Sequence, residues 1–168
     1  MASDQIDRLV GQWASERPDL DLGAMATVAR VLALARALQA ELDALAAAYG
    51  LQVPEADVLF TLRRSGAPYR LAPTQLSESL LVPSGTLTSR LDRLEAKGLV
   101  ERAPHATDRR SVEVALTEQG LELVDEALTV HVDNERRLLA GLDQPERALL
   151  DGLTGKLLAQ LAARRTAP

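Results

Sequence analysis

Cysteine is absent from the 168-residue chain, and aromatic residues make up only 2% of it. The first absence excludes a disulfide scaffold, thiol-based redox sensing and a cysteine-ligated zinc site. No apolar run approaches the roughly 20 residues that span a membrane. The opening residues, MASDQIDRLVGQ, lack the apolar segment of a signal peptide. We therefore expect a soluble cytoplasmic protein.

Sequence motifs of common enzyme classes are also missing. The chain contains no P-loop, no nucleophile elbow, no H-E-x-x-H zinc motif and no dinucleotide-binding fingerprint. Its two histidines, His105 and His131, stand far apart in the sequence, which argues against a histidine-based catalytic or zinc site. We expect neither an enzyme nor a bound cofactor or metal.

The charged residues are unevenly distributed. The formal net charge is −5, yet residues 61–110 carry nine basic and five acidic side chains, whereas both flanking regions are acidic. A phosphate backbone responds to the charge within a Debye length of about 10 Å, so the local excess matters more than the total. The basic centre is a candidate contact for nucleic acid, although random scatter produces a modest excess of this kind.

Hydrophobic periodicity predicts seven helices and one β-hairpin in a chain of the size of one ordinary domain. The predicted fold is mainly α with a small β-hairpin: a winged helix-turn-helix lobe with long N- and C-terminal dimerisation helices. Segment 64–70, RSGAPYR, is predicted to be a loop. The predicted helices lie at about 4–16, 22–48, 54–65, 73–80, 84–97, 117–140 and 145–163, and the strands at 99–103 and 111–116.

Glycine, proline and hydroxyl residues mark several predicted helix ends. Gly50 and Gly98 suit the position just after a helix, and Pro54 suits a first helical turn. Ser84 and Thr117 are predicted N-caps. We divide the chain into N-terminal helices (1–53), the DNA-binding lobe (54–117) and C-terminal helices (118–168).

The helices at the two ends of the chain have more apolar surface than one small lobe covers. Such helices usually bury that surface against a second copy with twofold symmetry. We expect a homodimer; the alternative is a monomeric bundle that packs its own ends together.

The helix that begins near Ser84 has two different faces. Leu87, Leu91 and Leu94 share one face at helical spacing and are predicted to be buried. The opposite surface is small, polar and rich in hydroxyl groups, which suits a helix that enters the major groove. The candidate DNA-binding residues on this helix are Ser84, Thr86, Thr88, Ser89 and Arg93.

The predicted hairpin carries the charged segment HATDRRS, residues 105–111, at its tip. Arg109 and Arg110 are candidates for the flanking minor groove, whose negative potential attracts arginine. Asp108 is predicted to support this wing by pairing with one of them. A solvated charged loop is the alternative.

Residues 87–120, LTSRLDRLEAKGLVERAPHATDRRSVEVALTEQG, resemble the signature of the MarR family of bacterial transcription regulators. The resemblance extends through the helix order over nearly the whole chain. It implies a dimeric winged helix-turn-helix protein that binds palindromic double-stranded DNA and releases it when a small anionic or phenolic ligand binds.

A narrower resemblance is to the urate-responsive branch of this family, which has an additional N-terminal helix. The motifs ERPDLD, EADVLFTLRRSG and PYRLAPTQL carry it. The resemblance implies a ligand site made by Trp13, Asp57, Arg90 and Arg102. The alternatives are helix packing for Trp13, a structural ion pair between Asp57 and Arg90, and contact with solvent or phosphate for Arg102.

The resulting hypothesis is a transcriptional repressor that is released from its operator when a ligand such as urate competes with Asp57 for Arg90. A polycarboxylate resembling trans-aconitate and a phenolic compound are alternative ligands. An adaptor that uses the same fold without binding DNA is the alternative of another class.

Overall fold

The computed structural model describes residues 2–104 and 112–166. The helices are α1 (Ala2–Glu16), α2 (Gly23–Ala48), α3 (Val53–Arg64), α4 (Pro73–Leu80), α5 (Ser84–Ala96), α6 (Glu118–Leu138) and α7 (Gln144–Thr166). The strands are β1 (Arg70–Leu71), β2 (Val100–Pro104) and β3 (Val112–Leu116). The expectation of a mainly helical winged-helix chain is confirmed, and the predicted elements lie close to their observed bounds.

The sheet has three strands, whereas the sequence predicts two. Strand β3 lies in the middle, and both β1 and β2 pair with it antiparallel. Arg70 is opposite Ala115, and the Leu116 N–H donates to the Tyr69 carbonyl at 3.1 Å. The prediction that RSGAPYR is wholly a loop is therefore wrong at both ends, because Arg64 ends α3 and Arg70 begins β1. A two-residue strand has no periodicity to detect, and it forms because the free edge of β3 lies beside it.

Most of the predicted helix ends are confirmed. Gly50 and Gly98 have φ of 67° and 71°, in the left-handed region that favours glycine. Thr117 accepts the Gly120 N–H on its hydroxyl at 2.9 Å, as an N-cap does. The prediction for Ser84 is wrong, because Pro83 occupies the N-cap position and Ser84 is the first helical residue. The Pro83 carbonyl accepts the Leu87 N–H, and proline has no N–H of its own to satisfy.

The core lies between α3, α4, α5, the sheet and the start of α6. Its fully buried side chains include Leu59 and Leu62 of α3, Leu76 of α4 and Val124 of α6. The predicted inner face of α5 is confirmed, because Leu87, Leu91 and Leu94 are all buried.

The start of α6 lies against the connection between α5 and β2. The Thr117 N–H donates to the Leu99 carbonyl at 3.2 Å, and the Thr117 hydroxyl donates to the Gly98 carbonyl at 2.7 Å. A Cβ placed on Gly120 would be 1.9 Å from the Leu99 carbonyl oxygen. Only glycine allows the two backbones to approach so closely.

The described chain divides into two compact units at Ala127 and Leu128, within α6. In the first unit, α1 packs against α2, with an ion pair between Asp7 and Arg30. In the second unit, Asp143 and Glu146 form reciprocal hydrogen bonds at the start of α7, as in a capping box.

Large apolar side chains are exposed on both units. Those of α2 are Met25, Val28, Val31, Leu32 and Leu34, and those of α7 are Leu149, Leu153, Leu157, Leu158 and Leu161. Among the helices of the described ranges, none combines the length and the hydropathy of a transmembrane span.

Candidate nucleic-acid interface

Helices α4 and α5 form a helix-turn-helix whose turn is Leu81, Val82 and Pro83. Leu81 has φ of 53° and ψ of 41°, so the chain reverses its direction in the left-handed region. The Ser77 hydroxyl donates to the Val82 carbonyl at 2.5 Å and closes the turn. Because Leu76 and Leu87 are buried on either side, the outer face of α5 is directed away from the core.

The first two turns of α5 present the predicted hydroxyl surface. Ser84, Thr86, Thr88 and Ser89 are all exposed. Thr88 and Ser89 donate their hydroxyl protons to the carbonyls of Ser84 and Gly85, at 3.0 and 3.3 Å. Because both hydroxyl protons are used in these bonds, each oxygen is left as a hydrogen-bond acceptor, and donation to another group requires rotation of the hydroxyl.

Arg93, which the sequence places on the DNA side, contacts α3. Its Nε–H donates to Glu55 Oε1 at 2.8 Å, while its side chain remains 46% exposed. The remaining guanidinium N–H groups are therefore the part of Arg93 available for phosphate.

Glu55 is a buried carboxylate, 1% exposed, that no sequence motif marks as functional. Besides Arg93, its partners are Lys97 Nζ at 2.7 Å and the Gln52 N–H at 3.0 Å. Burial opposes the charge, but the hydrogen bonds from Lys97, Gln52 and Arg93 outweigh it and lower the pKa of Glu55. In the sequence Glu55 is simply an acidic residue in the predicted first turn of a helix, so the residues around it do not indicate these partners.

Arg102 ties strand β2 to helix α5. Its guanidinium donates to Asp92 Oδ1 at 2.6 Å and to Glu95 Oε2. The hydrogen bond to Asp92 is the main cause that raises the pKa of Arg102 above its usual value. This predicted ligand-binding residue thus already has two carboxylate partners, both on α5.

The other three predicted ligand residues lie on three different helices. Trp13 is 48% exposed on α1, which packs against α2. Asp57 is exposed on α3, and Arg90 is half-buried on α5. Helices α3 and α5 are in contact, so Asp57 and Arg90 belong to neighbouring elements.

The wing arginines Arg109 and Arg110, together with Asp108 and His105, lie outside the described residues. The strands on either side of them are paired, with Pro104 opposite Val112. Within the described ranges, no group of three or more His, Asp or Glu side chains is arranged to hold a metal ion.

A helix-turn-helix followed by a β-hairpin defines a winged helix-turn-helix protein. The sequence model of the MarR family matches residues 49–111 of this chain. The HTH-type transcriptional regulator PecS of Dickeya dadantii (strain 3937) is 38% identical over 161 residues, which cover 96% of this chain and 97% of PecS. The chain therefore belongs to the MarR family, and the relatives it resembles are transcriptional regulators rather than enzymes.

Two solved structures illustrate the similarity. A mutant of MarR from E. coli, crystallised in complex with operator DNA, is 28% identical with a TM-score of 0.67; the match covers 87% of this chain and 97% of that chain. AbsC, a MarR family transcriptional regulator from Streptomyces coelicolor, has a TM-score of 0.75 at 23% identity, with coverage of 86% and 97%. The AbsC similarity supports the fold alone.

Proposed function

We propose that the protein is a cytoplasmic transcriptional repressor that binds a palindromic operator as a homodimer and releases it when a small anionic ligand binds. The observation that carries the DNA-binding part is α5 itself. Its leucine face is buried, whereas its first two turns present four exposed hydroxyl side chains beside a paired hairpin. The relative crystallised with operator DNA supports the same use of the fold.

In this proposal the end helices (1–53 and 118–168) form the dimer and the lobe between them (54–117) binds DNA. The hydroxyl face of α5 enters the major groove. Arg93 contacts phosphate with the guanidinium N–H groups that are not bonded to Glu55. Arg109 and Arg110 reach the flanking minor groove, supported by Asp108.

Footprinting with purified protein tests the proposal. We expect a symmetric protected sequence, with an affinity that falls steeply as the salt concentration rises. Arg109→Ala with Arg110→Ala should weaken binding while the thermal midpoint stays unchanged. The matched control is Arg164→Ala with Arg165→Ala, which removes the same charge from the exposed end of α7. Absence of specific binding, or an affinity independent of salt, would instead favour an adaptor.

The homodimer is proposed from the exposed apolar side chains of α2 and α7, which a monomer leaves in water. Leu153→Lys places a charge among the exposed leucines of α7, and sedimentation should show a smaller mass than the wild type. Lys156→Leu is a useful control, because it adds apolar surface to the same helix. A monomeric wild type would contradict this part of the proposal.

The ligand proposal rests on the family resemblance and on the arginines of the DNA-binding lobe. Arg90 lies on α5, the helix that we propose enters the major groove and that we call the recognition helix. Arg102 contacts this helix through Asp92. We expect an anion such as urate to compete with Asp92 and Glu95 for Arg102 and, in this proposal, with Asp57 for Arg90, and thereby to shift the helix. A coupling of roughly 1–3 kcal/mol changes the affinity for DNA about 5- to 150-fold.

Titration of the operator complex with urate tests this ligand. Release is expected for the wild type and should be weaker for Arg90→Ala and Trp13→Ala. If urate has no effect, a thermal-shift screen of polycarboxylates and phenols tests the alternatives, because a ligand at 100 times its Kd stabilises the protein by about 2.7 kcal/mol. Full release of the Arg90→Ala complex by urate would contradict the assigned site.

A further inference from the structure

Glu55 connects three segments that are distant in the sequence. Its carboxylate accepts hydrogen bonds from Arg93 and Lys97 at the C-terminal end of α5, and from the Gln52 N–H at the start of α3. Lys97 Nζ also donates to the Gly50 carbonyl, just after α2, at 2.8 Å. One buried carboxylate therefore joins the end of α2, the start of α3 and the end of the recognition helix.

Apolar packing alone does not fix the rotation of α5. Leu87, Leu91 and Leu94 anchor it by burial, which is a non-directional interaction. Hydrogen bonds to a charged group are directional and roughly twice as strong as neutral ones. Because Arg93 and Lys97 lie one turn apart, their bonds to the two oxygens of Glu55 restrict both the rotation and the height of α5. They act beside the bonds from Arg102 to Asp92 and Glu95 on the same helix.

We propose that Glu55 is a positioning residue that holds the recognition helix in its DNA-binding orientation, by fixing the C-terminal end of α5 to the α2–α3 junction. The proposal rests on DNA binding as proposed above. Its effect is on sequence-specific binding, since a displaced helix still approaches phosphate electrostatically but loses its register with base edges.

The variant Glu55→Gln separates positioning from electrostatics. It makes the lobe more positive, so charge alone predicts tighter binding to any DNA. Loss of positioning predicts the reverse for the operator: about a tenfold higher Kd, with unchanged or tighter binding to random DNA. Glu101→Gln is the matched control, because it makes the same charge change at an exposed residue of β2.

Lys97 provides a second, independent variant if Glu55→Gln folds poorly, since its side chain lies partly at the surface. Lys97→Met should reduce the ratio of operator to random-DNA affinity, and Lys97→Arg should restore most of it. Combining Glu55→Gln with Lys97→Met should cost less than the sum of the two single changes, because both act on one bond.

Hydrogen exchange of the free protein distinguishes failure of this inference from failure of DNA binding. In Glu55→Gln, amides in the last two turns of α5 should exchange faster than in the wild type and in Glu101→Gln. If no operator is found, faster exchange still shows that Glu55 fixes the end of α5, and the failure then lies with the proposed DNA binding. An unchanged affinity ratio in a folded Glu55→Gln variant, or unchanged exchange in α5, would overturn it.

Discussion

Gly120→Ala is expected to destabilise the protein strongly, although the same change normally stabilises a helix. The new Cβ would lie 1.9 Å from the Leu99 carbonyl oxygen, and the carbonyl carbon would be 2.9 Å away. An ordinary contact requires about 3.3 Å, so α6 and the connection before β2 must separate by more than 1 Å. Both partners are backbone, and no flexible side chain is available to move aside.

The separation disturbs a specific set of hydrogen bonds. Thr117 donates two hydrogen bonds across this contact, to the Leu99 carbonyl at 3.2 Å and to the Gly98 carbonyl at 2.7 Å. Overpacking typically costs about 1–3 kcal/mol, and each weakened hydrogen bond about 0.5–1.5 kcal/mol. The gain from replacing glycine in a helix is about 1 kcal/mol. We therefore expect a net loss of about 3 kcal/mol in the free energy of unfolding.

Thermal and urea unfolding at a fixed protein concentration measure this loss. For a chain of this length, about 3 kcal/mol lowers the thermal midpoint by roughly 6–12 °C. The control is Gly152→Ala on α7, where a Cβ meets nothing within 4 Å and helix propensity alone should raise stability slightly. A Gly120→Ala protein as stable as the wild type would refute the close-contact reasoning.

Three further predictions concern local features. Thr117→Ala should cost about 1 kcal/mol in urea unfolding through loss of the N-cap, and Thr117→Ser should retain most of the stability; equal losses in both variants would argue against the cap. Leu81→Gly should raise the free energy of unfolding by about 0.5 kcal/mol. Leu81 has a left-handed backbone and a side chain that is 92% exposed, so glycine relieves the backbone strain without loss of packing. A clear loss of stability would indicate that the Leu81 side chain is buried in the assembled protein. Glu55 has a lowered pKa when folded, so its contribution is present above its usual pKa of about 4.3 and is lost as the pH falls through the lower folded value. Glu55→Gln should therefore show a weaker acid dependence of stability than the wild type between pH 7 and pH 3, and identical curves would contradict this.

Hydrophobic periodicity and turn residues in the sequence were sufficient to predict the helices, the two longer strands and the buried face of α5. These features depend on interactions between neighbouring residues, such as the spacing of Leu87, Leu91 and Leu94 or the positive φ of Gly50 and Gly98. The family resemblance follows from the same local motifs, and the relative that is similar over nearly the full length confirms it.

The features that sequence patterns did not predict depend on contacts between distant segments. The edge pairing of β1, the close approach at Gly120, and the carboxylate partners of Arg93 and Arg102 all join elements that no local pattern connects. Glu55 shows the reason most clearly. Its cationic partners follow it by 38 and 42 residues. The amino-acid sequence by itself determined which segments became helices and which face of each is apolar, because those choices depend on local spacing. Only the tertiary structure decided which charges meet, because that depends on how the helices pack.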